Sequence, residues 1–238
     1  MLGALLDILF PPLCHLCKEF IPDAGALHLC AGCRNSLRPV PSPQCTICGI
    51  PFATEGGIDH PCGPCSTETR HFVSARAAAI HDGSVRELIH RFKYNGNVRL
   101  VRPLAQIAAQ ALTPFVDQTR PNLLIPVPLH RKRLRERGFN QAVLLGARLA
   151  KSWKLPISNR NLQRIRWTEP QISLSGDLRR KNVRGAFAVT DRTEIEGKRI
   201  LLLDDVYTTG STVLECARTL TAAGAHSVHV ITVARATS

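Results

Sequence analysis

Residues 199–212 read Arg199-Ile-Leu-Leu-Leu-Asp-Asp-Val-Tyr-Thr-Thr-Gly-Ser-Thr212. Residues 200–203 are all apolar, which predicts a strand buried on both faces of a parallel sheet. Asp204 and Asp205 follow and are expected to close this strand, at the end of an open α/β sheet where ligands bind. Two adjacent carboxylates repel each other, so the prediction requires a positive or hydrogen-donating group between them.

The loop after this strand is rich in hydroxyl groups. It consists of Thr208, Thr209, Gly210, Ser211 and Thr212, and it leads into a helix predicted over residues 213–223. Backbone N–H groups at a helix start, together with the helix dipole, form a pocket for a phosphate. The loop has one glycine and no lysine after it, which argues against a Walker loop and an ATPase. An ordinary strand, N-cap and helix is the alternative, but it gives the acidic pair no role.

Extended and helical patterns alternate through the rest of residues 71–238. Strands are predicted over residues 76–81, 123–127, 199–205 and 228–233, and helices over residues 84–93, 100–112 and 140–151. This alternation is typical of an α/β fold with a doubly wound, mostly parallel sheet.

Positive charge is concentrated in the second part of the chain. Residues 1–70 carry four basic and six acidic side chains, whereas residues 71–238 carry 27 and 12. Residues 130–184 hold 15 basic and three acidic side chains, which would attract polyanions such as phosphorylated sugars or nucleic acid. A solubilising surface is the alternative, because charge sets attraction but not identity. The stretch from Arg131 to Arg137 is predicted as a basic loop, placed to contact a pyrophosphate.

A second basic stretch, residues 164–184, is polar and punctuated. It includes Arg164 and Gln171 and has the pattern of a mobile flap. A solvated linker with one exposed helix over residues 175–182 is the alternative.

Four Cys-x-x-Cys knuckles precede residue 66. They are Cys14/Cys17, Cys30/Cys33, Cys45/Cys48 and Cys62/Cys65, separated within the two halves by 12 and 13 residues. This spacing lets two knuckles converge on one tetrahedral zinc ion, and four thiolates leave no open position for catalysis. Two structural zinc sites are therefore predicted. We favour sequential over cross-braced pairing, and zinc over disulfides or redox pairs.

The first ten residues are apolar, with leucines at helical spacing. They predict a short amphipathic helix packed on its own protein rather than a signal peptide. No apolar run approaches the roughly 20 residues that span a bilayer. We therefore expect no membrane span and a cytoplasmic protein with reduced cysteines. Its two units are predicted as a zinc-binding module over residues 1–70 and an α/β domain over residues 71–238.

The acidic pair and the Thr-Thr-Gly-Ser-Thr loop resemble the phosphoribosyl-pyrophosphate (PRPP) signature of type I phosphoribosyltransferases. The resemblance implies that Asp204 and Asp205 hold the ribose 2′- and 3′-hydroxyls. It also implies that residues 208–212 wrap the 5′-phosphate and that Mg²⁺ accompanies PRPP.

Several motifs in this order resemble the ComF family of competence and DNA-utilisation proteins. They are the four knuckles, Lys93-Tyr-Asn-Gly96, Pro126-Val-Pro128, Arg137-Gly-Phe-Asn-Gln141, Thr168-x-x-Gln171 and the PRPP loop. The resemblance implies handling of single-stranded DNA during natural transformation. Tyr207 departs from the aliphatic residue common at its position, which leaves the fine shape of the loop open.

Three functions compete at this point. An enzyme would displace pyrophosphate from PRPP with a nitrogen nucleophile, while Mg²⁺, Arg131, Arg137 and Arg164 offset the charge of the leaving group. A binding module would hold PRPP or a DNA 5′-phosphate without turnover, with the basic flap along the strand. A scaffold would use the zinc module to dock a helicase or pore protein of the uptake machinery.

Overall fold

The computed structural model describes residues 11–22, 27–54, 56–94, 96–168 and 181–237. The strands are β1 (Ser74–Ile80), β2 (Leu123–Pro126), β3 (Leu162–Arg164), β4 (Phe187–Val189), β5 (Arg199–Tyr207) and β6 (Ser227–Arg235). Four of them form a parallel sheet in the order β1-β6-β5-β2, while β3 and β4 form a separate antiparallel pair. All carboxyl ends of the parallel strands therefore meet at one edge, which is called the carboxyl edge below.

Helices cover both faces of the parallel sheet. They are α1 (Ala31–Asn35), α2 (Gly63–Thr67), α3 (Gly83–Tyr94), α4 (Val101–Thr119), α5 (Arg131–Arg137), α6 (Gln141–Trp153) and α7 (Ser211–Ala222). Because side chains alternate along a strand, Leu201 and Leu203 pack in the core with α3, α4 and α6. Ile200 and Leu202 point the other way, into the core with α7. The predicted doubly wound α/β architecture is confirmed.

Several elements run further than the sequence predicted, and β5 and α4 show why. Strand β5 does not close at the acidic pair, because Val206 and Tyr207 continue to pair with Ala234 and Arg235 of β6. Helix α4 continues past residue 112, through Pro114 to Thr119. Proline removes one helical hydrogen bond, but packing of the helix against the core holds the next turn in place.

The prediction of a basic loop between Arg131 and Arg137 is wrong, because these residues form helix α5. The His130 side chain accepts a hydrogen bond from the Lys132 amide at the start of the helix, and Gly138 ends it with a φ of 82°. Arginine is a good helix former, so local propensity and both caps agree here.

The cysteine-rich part packs along β1, an edge strand of the sheet. The Ala75 amide donates to the Ile47 carbonyl at 2.6 Å, and the Ile80 amide donates to the Arg38 carbonyl at 2.8 Å. An uncovered edge strand invites pairing with other chains, so these bonds protect it. The proposed unit boundary at residue 70 stays a prediction, and the helix expected over residues 1–10 lies outside the described residues.

Within the described part of the chain, no helix combines the length and the apolarity that crossing a membrane requires.

Candidate functional site

The acidic pair lies at the carboxyl edge, next to the last turn of α3. The Lys93 ammonium Nζ lies 2.8 Å from Asp205 Oδ1, and both side chains are largely buried. The Asp205 amide also donates to Asp204 Oδ1 at 2.9 Å. Lys93 thus supplies the positive group that two adjacent carboxylates require.

Asp204 is poised to change protonation near neutral pH. Burial, followed by the charge of Asp205, raises the pKa of Asp204 to about 7. Lys93, the Asp205 amide and Arg164 oppose this rise in pKa. A cation or a donor that reached the carboxyl edge would therefore find Asp204 ready to release its proton.

The hydroxyl-rich loop turns sharply into α7. Thr208 and Thr209 are exposed, while Gly210 and Ser211 are buried. Gly210 has a φ of 76° and provides no side-chain cap for the helix, and Thr209 Oγ1 lies 2.9 Å from Ser211 Oγ. The start of α7 therefore presents backbone N–H groups and hydroxyls together, the donor set that binds phosphate.

Tyr207 lies directly beneath this turn. A Cβ added at Gly210 would overlap the Tyr207 hydroxyl and ring carbons, so the backbone and the ring approach each other as closely as glycine allows. Burial raises the pKa of Tyr207 to about 12, so the hydroxyl stays neutral. The departure from an aliphatic residue at this position therefore gives the loop an aromatic floor.

Arg164 is the last residue of β3, and its positive charge interacts with the carboxyl group of Asp204. Its guanidinium donates to Thr168 Oγ1 and lies over the Phe187 ring at 5.5 Å. Burial lowers the pKa of Arg164, while Cys216 and Asp204 oppose that shift. Among the described residues, the buried Nε of Arg164 has no hydrogen-bond partner.

The other three residues predicted to contact the pyrophosphate differ in their surroundings. Arg131 is exposed at the first turn of α5. Arg137 donates to Gln141 Oε1 at 2.9 Å and lies over the Tyr94 ring at 5.3 Å, which ties α5 to the residue after Lys93. Gln171 lies outside the described residues.

The predicted flap has a defined base. The Arg166 guanidinium donates to the Asn182 carbonyl at 2.9 Å and to the Arg184 carbonyl at 2.7 Å, closing the two ends of the segment onto each other. The Gly185 amide donates to Glu215 Oε1 at 2.7 Å, which anchors this base to α7. Strands β3 and β4, which the sequence did not predict, form the stem below it.

Two side chains at the carboxyl edge were absent from the residues predicted to form the site. The sequence places Lys93 in a predicted helix and a family motif, and His81 at the end of a predicted strand. Burial lowers the pKa of His81, as do the charges of Lys93 and Arg86, whereas the charge of Asp205 opposes this shift. Both residues come directly at or after the end of an element that reaches this edge, and that position is the signal that could have identified them.

The eight cysteines of the knuckles gather into two tetrads. These are Cys14, Cys17, Cys30 and Cys33, and Cys45, Cys48, Cys62 and Cys65, with the ligand atoms of each group within 4.8 Å of one another. The Cys17 and Cys30 sulfurs are 3.5 Å apart, and the Cys48 and Cys62 sulfurs 3.8 Å. Sulfurs bound to one tetrahedral zinc ion are about 3.8 Å apart. The sequential pairing favoured from the spacing is confirmed.

The ionisation of the thiols fits a metal in each tetrad. Burial opposes ionisation of Cys14 and Cys45, but the backbone amides around each sulfur lower both pKa values to about 6. Burial and the neighbouring cysteines raise the pKa of Cys33 and Cys65 instead. Four thiolates at this distance repel one another, so a bound cation is what allows all of them to ionise.

A cysteine-tetrad ribbon joined to a phosphoribosyltransferase-type α/β domain is the class of protein that this architecture defines. The family model described as a double zinc ribbon domain matches residues 5–66, and the phosphoribosyl transferase domain model matches residues 154–238. Competence protein F of Haemophilus influenzae is 32% identical over 221 residues, which cover 89% of this chain and 94% of that protein. The chain belongs to the ComF family of competence and DNA-utilisation proteins.

Other relatives are similar over comparable lengths. The DNA utilization protein YhgH of Escherichia coli O157:H7 is 32% identical over 92% of this chain and 95% of its own. Competence protein ComFC of Bacillus subtilis is 28% identical over 87% of this chain and 84% of its own. A solved purine phosphoribosyltransferase from Pyrococcus horikoshii is 16% identical with a TM-score of 0.37, covering 56% of this chain and 73% of that one, and this score adds nothing on function.

Proposed function

We propose that the carboxyl edge binds PRPP and that the protein acts in DNA uptake, handling single-stranded DNA during natural competence. The observation that carries the proposal is the convergence of two unlike groups at one edge. Asp204 and Asp205 offer acceptors next to Lys93, and the start of α7 offers donors. A phosphorylated ribose needs both kinds of partner, acceptors for its hydroxyls and donors for its phosphate.

The division of labour follows from the chemistry of the two groups. Asp204 and Asp205 accept hydrogen bonds from the ribose 2′- and 3′-hydroxyls, because carboxylates are acceptors when ionised. Thr208, Thr209 and the amides from Gly210 to Thr212 receive the 5′-phosphate, because helix amides and hydroxyls donate. Lys93 keeps the pair compatible with the negatively charged ligand until the sugar arrives.

Mg²⁺ with PRPP fits the donor set, because carboxylate oxygens are its preferred protein ligands. When bound, it neutralises charge on the pyrophosphate. Arg164 adds positive charge beside the acidic pair, while the exposed Arg131 lies on α5. Gln171 and Arg137 complete the proposed pyrophosphate contacts. Arg137 either exchanges its hydrogen bond to Gln141 for one to the pyrophosphate or keeps that bond and holds α5 in position.

If a transfer occurs, it breaks the bond between C1 of the ribose and the pyrophosphate oxygen and forms a bond from C1 to a nitrogen nucleophile. The electron pair of the broken bond leaves with pyrophosphate. Oriented ribose hydroxyls and nearby positive charge would favour that step. The acceptor's proton would pass to solvent or to a base that the acceptor itself supplies.

Single-stranded DNA is the proposed macromolecular partner, and one surface supports it. Lys132 Nζ lies 4.6 Å from the centre of the Trp167 ring, and the His130 ring lies 5.3 Å from it. A ring beside cations at the flap base can stack a base while α5 contacts the backbone phosphates. The names of the competence and DNA-utilisation relatives favour this reading.

The two cysteine tetrads are proposed to hold two structural zinc ions in a cytoplasmic protein, where thiols remain reduced. The ribbon surface could also dock a helicase or pore protein of the uptake machinery. Loss of partner capture after Cys30→Ser, with PRPP binding intact, would support such docking.

Turnover separates an enzyme from a binding module. Zinc-loaded protein with Mg²⁺ and PRPP is mixed with each common purine and pyrimidine base, and release of pyrophosphate is measured. Release that depends on one base and disappears in the Asp204→Asn/Asp205→Asn variant supports a phosphoribosyltransferase. Binding of PRPP without release supports the binding module.

Binding of labelled single-stranded DNA is measured over a salt series. We expect affinity to fall steeply with salt, and Trp167→Ala with Lys132→Gln to weaken binding and reduce the salt slope by about 1. Arg34→Gln, at an exposed position on the ribbon, is the control. Equal DNA affinity in all variants would show that single-stranded DNA does not bind at Trp167 and Lys132.

A further inference from the structure

We propose that the second cysteine tetrad, through Arg235 and Tyr207, holds the phosphate loop (residues 208–212) in its ligand-binding position. The second metal centre would then be part of the phosphate pocket and not only a staple for the ribbon. This inference rests on the proposed function, because it takes residues 208–212 to be the loop that receives the phosphate. The contacts that carry it run from Cys48 to Arg235, to Tyr207 and to Gly210.

The first contact joins the tetrad to the sheet. Arg235 lies at the carboxyl end of β6 and is only 5% exposed. Its Nη1 donates to the Cys48 carbonyl at 2.6 Å, and its Nη2 lies 3.5 Å from the Cys48 sulfur. A cation that donates to a ligating sulfur offsets the excess negative charge of four thiolates around a divalent ion and fixes the orientation of the ligand.

The second contact lies between neighbouring strands. Arg235 and Tyr207 are register partners at the ends of β6 and β5, and the guanidinium carbon lies 4.2 Å from the centre of the Tyr207 ring. The Ala236 amide also donates to the Tyr207 carbonyl at 2.9 Å. Both side chains are buried, so the cation–π attraction between them is not weakened by water.

The third contact reaches the loop. Tyr207 fills the space under Gly210 so closely that no side chain fits there. Gly210 is the residue that turns the chain into α7. The Tyr207 ring therefore sets the distance between the Gly210 backbone and the sheet, and this ring itself lies against the Arg235 guanidinium.

The same knuckle is held from a second strand, which strengthens the coupling. Arg76 of β1 donates to the Thr46 carbonyl at 3.0 Å. Thr46 and Cys48 belong to one knuckle. Its shape therefore positions acceptors for the half-buried Arg76 and the buried Arg235. Without a metal the knuckle loses the restraint that its thiolates share, and Arg235 loses both of its acceptors at Cys48.

Among the described residues, the first tetrad makes no such connection to the phosphate loop. Arg91 donates to the His15 and Leu16 carbonyls at 2.7 and 3.0 Å. Arg91 belongs to α3, the helix of Lys93, so disturbance of the first tetrad would act on the acidic pair. The two tetrads thus buttress different parts of the carboxyl edge, and this difference provides the control.

The experiment measures binding of ribose 5-phosphate and of Mg²⁺–pyrophosphate to the full chain by calorimetry. The phosphate loop should matter for the first ligand and not for the second. We expect Tyr207→Ala and Arg235→Met to weaken ribose 5-phosphate binding by about tenfold or more. Pyrophosphate binding should stay within about twofold of wild type. Tyr207→Phe keeps the ring and should restore nearly all of the affinity for ribose 5-phosphate.

Metal analysis adds a second readout. Cys48→Ser and Cys17→Ser should each lower the zinc content from two ions per chain towards one. Only Cys48→Ser should then lose affinity for inorganic phosphate, which lacks the hydroxyls that the acidic pair binds, and this selective loss would support the inference.

Three results would overturn it. Wild-type affinity for ribose 5-phosphate in both Tyr207→Ala and Arg235→Met would overturn the coupling and leave the proposed function standing. Equal weakening of both ligands would show general damage rather than positioning. Absence of binding of either ligand to the zinc-loaded wild type would reject the proposed function itself, and the coupling with it.

Discussion

Lys93 Nζ lies 2.8 Å from Asp205 Oδ1, so the last turn of α3 supplies a cation to the carboxyl end of β5. This pair makes a buried double carboxylate tolerable in the free protein. Burial and the charge of Asp205 nevertheless raise the pKa of Asp204 to about 7. Under the proposed function, binding of a sugar at the acidic pair is therefore linked to proton release.

Affinity for PRPP should therefore depend on pH. Asp204 accepts hydrogen bonds from ribose hydroxyls more strongly when it is ionised, so affinity should rise as pH increases through about 7. Lys93→Gln removes a charge that opposes the rise in the pKa of Asp204, which should shift the midpoint of this pH dependence upward. Calorimetry from about pH 6 to about pH 8.5 measures it.

Lys151→Gln, at an exposed position on α6, is the control for Lys93→Gln and should leave the midpoint unchanged. An affinity that does not vary over this pH range in the wild type would contradict the assignment of Asp204.

Asp204→Asn should stabilise the unliganded protein at alkaline pH. A carboxyl group whose pKa is raised by folding contributes stability below its unfolded value, and this contribution is lost as pH rises through the folded value. The folded value is about 7 and the ordinary value is 3.8. We expect Asp204→Asn to raise Tm by on the order of 5 °C at about pH 8.5, with the difference shrinking towards about pH 4.

Asp191→Asn is the opposite case. The hydroxyl and the amide of Thr193 lower the pKa of Asp191, so its contribution to stability is present above the ordinary pKa and is lost in acid. It should give no gain in Tm at alkaline pH. A lower Tm for Asp204→Asn than for the wild type at about pH 8.5 would count against buried charge strain at the acidic pair.

The parts of the site that sequence predicted are those encoded by short spacing. The cysteine knuckles and the Asp204–Asp205 step each lie within a few residues, so pattern and chemistry could be read together. Lys93 and His81 reach the site through the packing of α3 and β1, and no local pattern specifies that. The same holds for Arg235 beneath the phosphate loop, because register between β5 and β6 is a long-range property.

The errors in the fold have local causes as well. Arg131 to Arg137 looked like a loop because of charge, while helix propensity and the caps at His130 and Gly138 prevailed. The sequence predicts that β5 ends at Asp205, because two adjacent carboxylates are expected to close the strand. Its pairing with β6 continues to Tyr207, since the backbone ladder does not depend on side-chain charge.

Gly210→Ala should weaken binding at the phosphate loop. An added Cβ would overlap the Tyr207 hydroxyl, and the φ of 76° costs a non-glycine residue about 1 kcal/mol besides. The loop must move away from Tyr207, so ribose 5-phosphate binding measured by calorimetry should fall by about tenfold or more.

Gly197→Ala separates strain from overlap. Gly197 has a φ of 68°, and apart from its chain neighbours no atom of the described residues lies within 4 Å of an added Cβ. It should lower Tm modestly and leave ligand affinity unchanged. Equal affinity of Gly210→Ala and the wild type would reject the close approach of Tyr207 to the loop.

Removal of zinc should uncover the edge strand β1. The Ala75 and Ile80 amides donate to the Ile47 and Arg38 carbonyls of the cysteine-rich part, whose fold depends on the tetrads. After chelation, hydrogen exchange at these two amides should accelerate by about tenfold or more. The Val127 amide, which donates to the Leu203 carbonyl at 2.8 Å, is the internal control and should change much less.

Aggregation of the chelated protein at concentrations where the loaded protein stays dispersed would agree with an exposed edge. Unchanged protection of Ala75 and Ile80 after metal analysis has confirmed loss of zinc would contradict this role of the ribbon.

Titration calorimetry of the full chain, loaded with two zinc ions, against PRPP with Mg²⁺ tests the central claim most directly. We predict saturable binding at one site per chain with a Kd below about 1 mM, weakened by about tenfold or more in Asp204→Asn/Asp205→Asn and unchanged in Asp191→Asn. No heat with the folded, zinc-loaded wild type at about 1 mM PRPP, or equal binding by the double variant, would contradict the claim that this edge is a phosphoribosyl site.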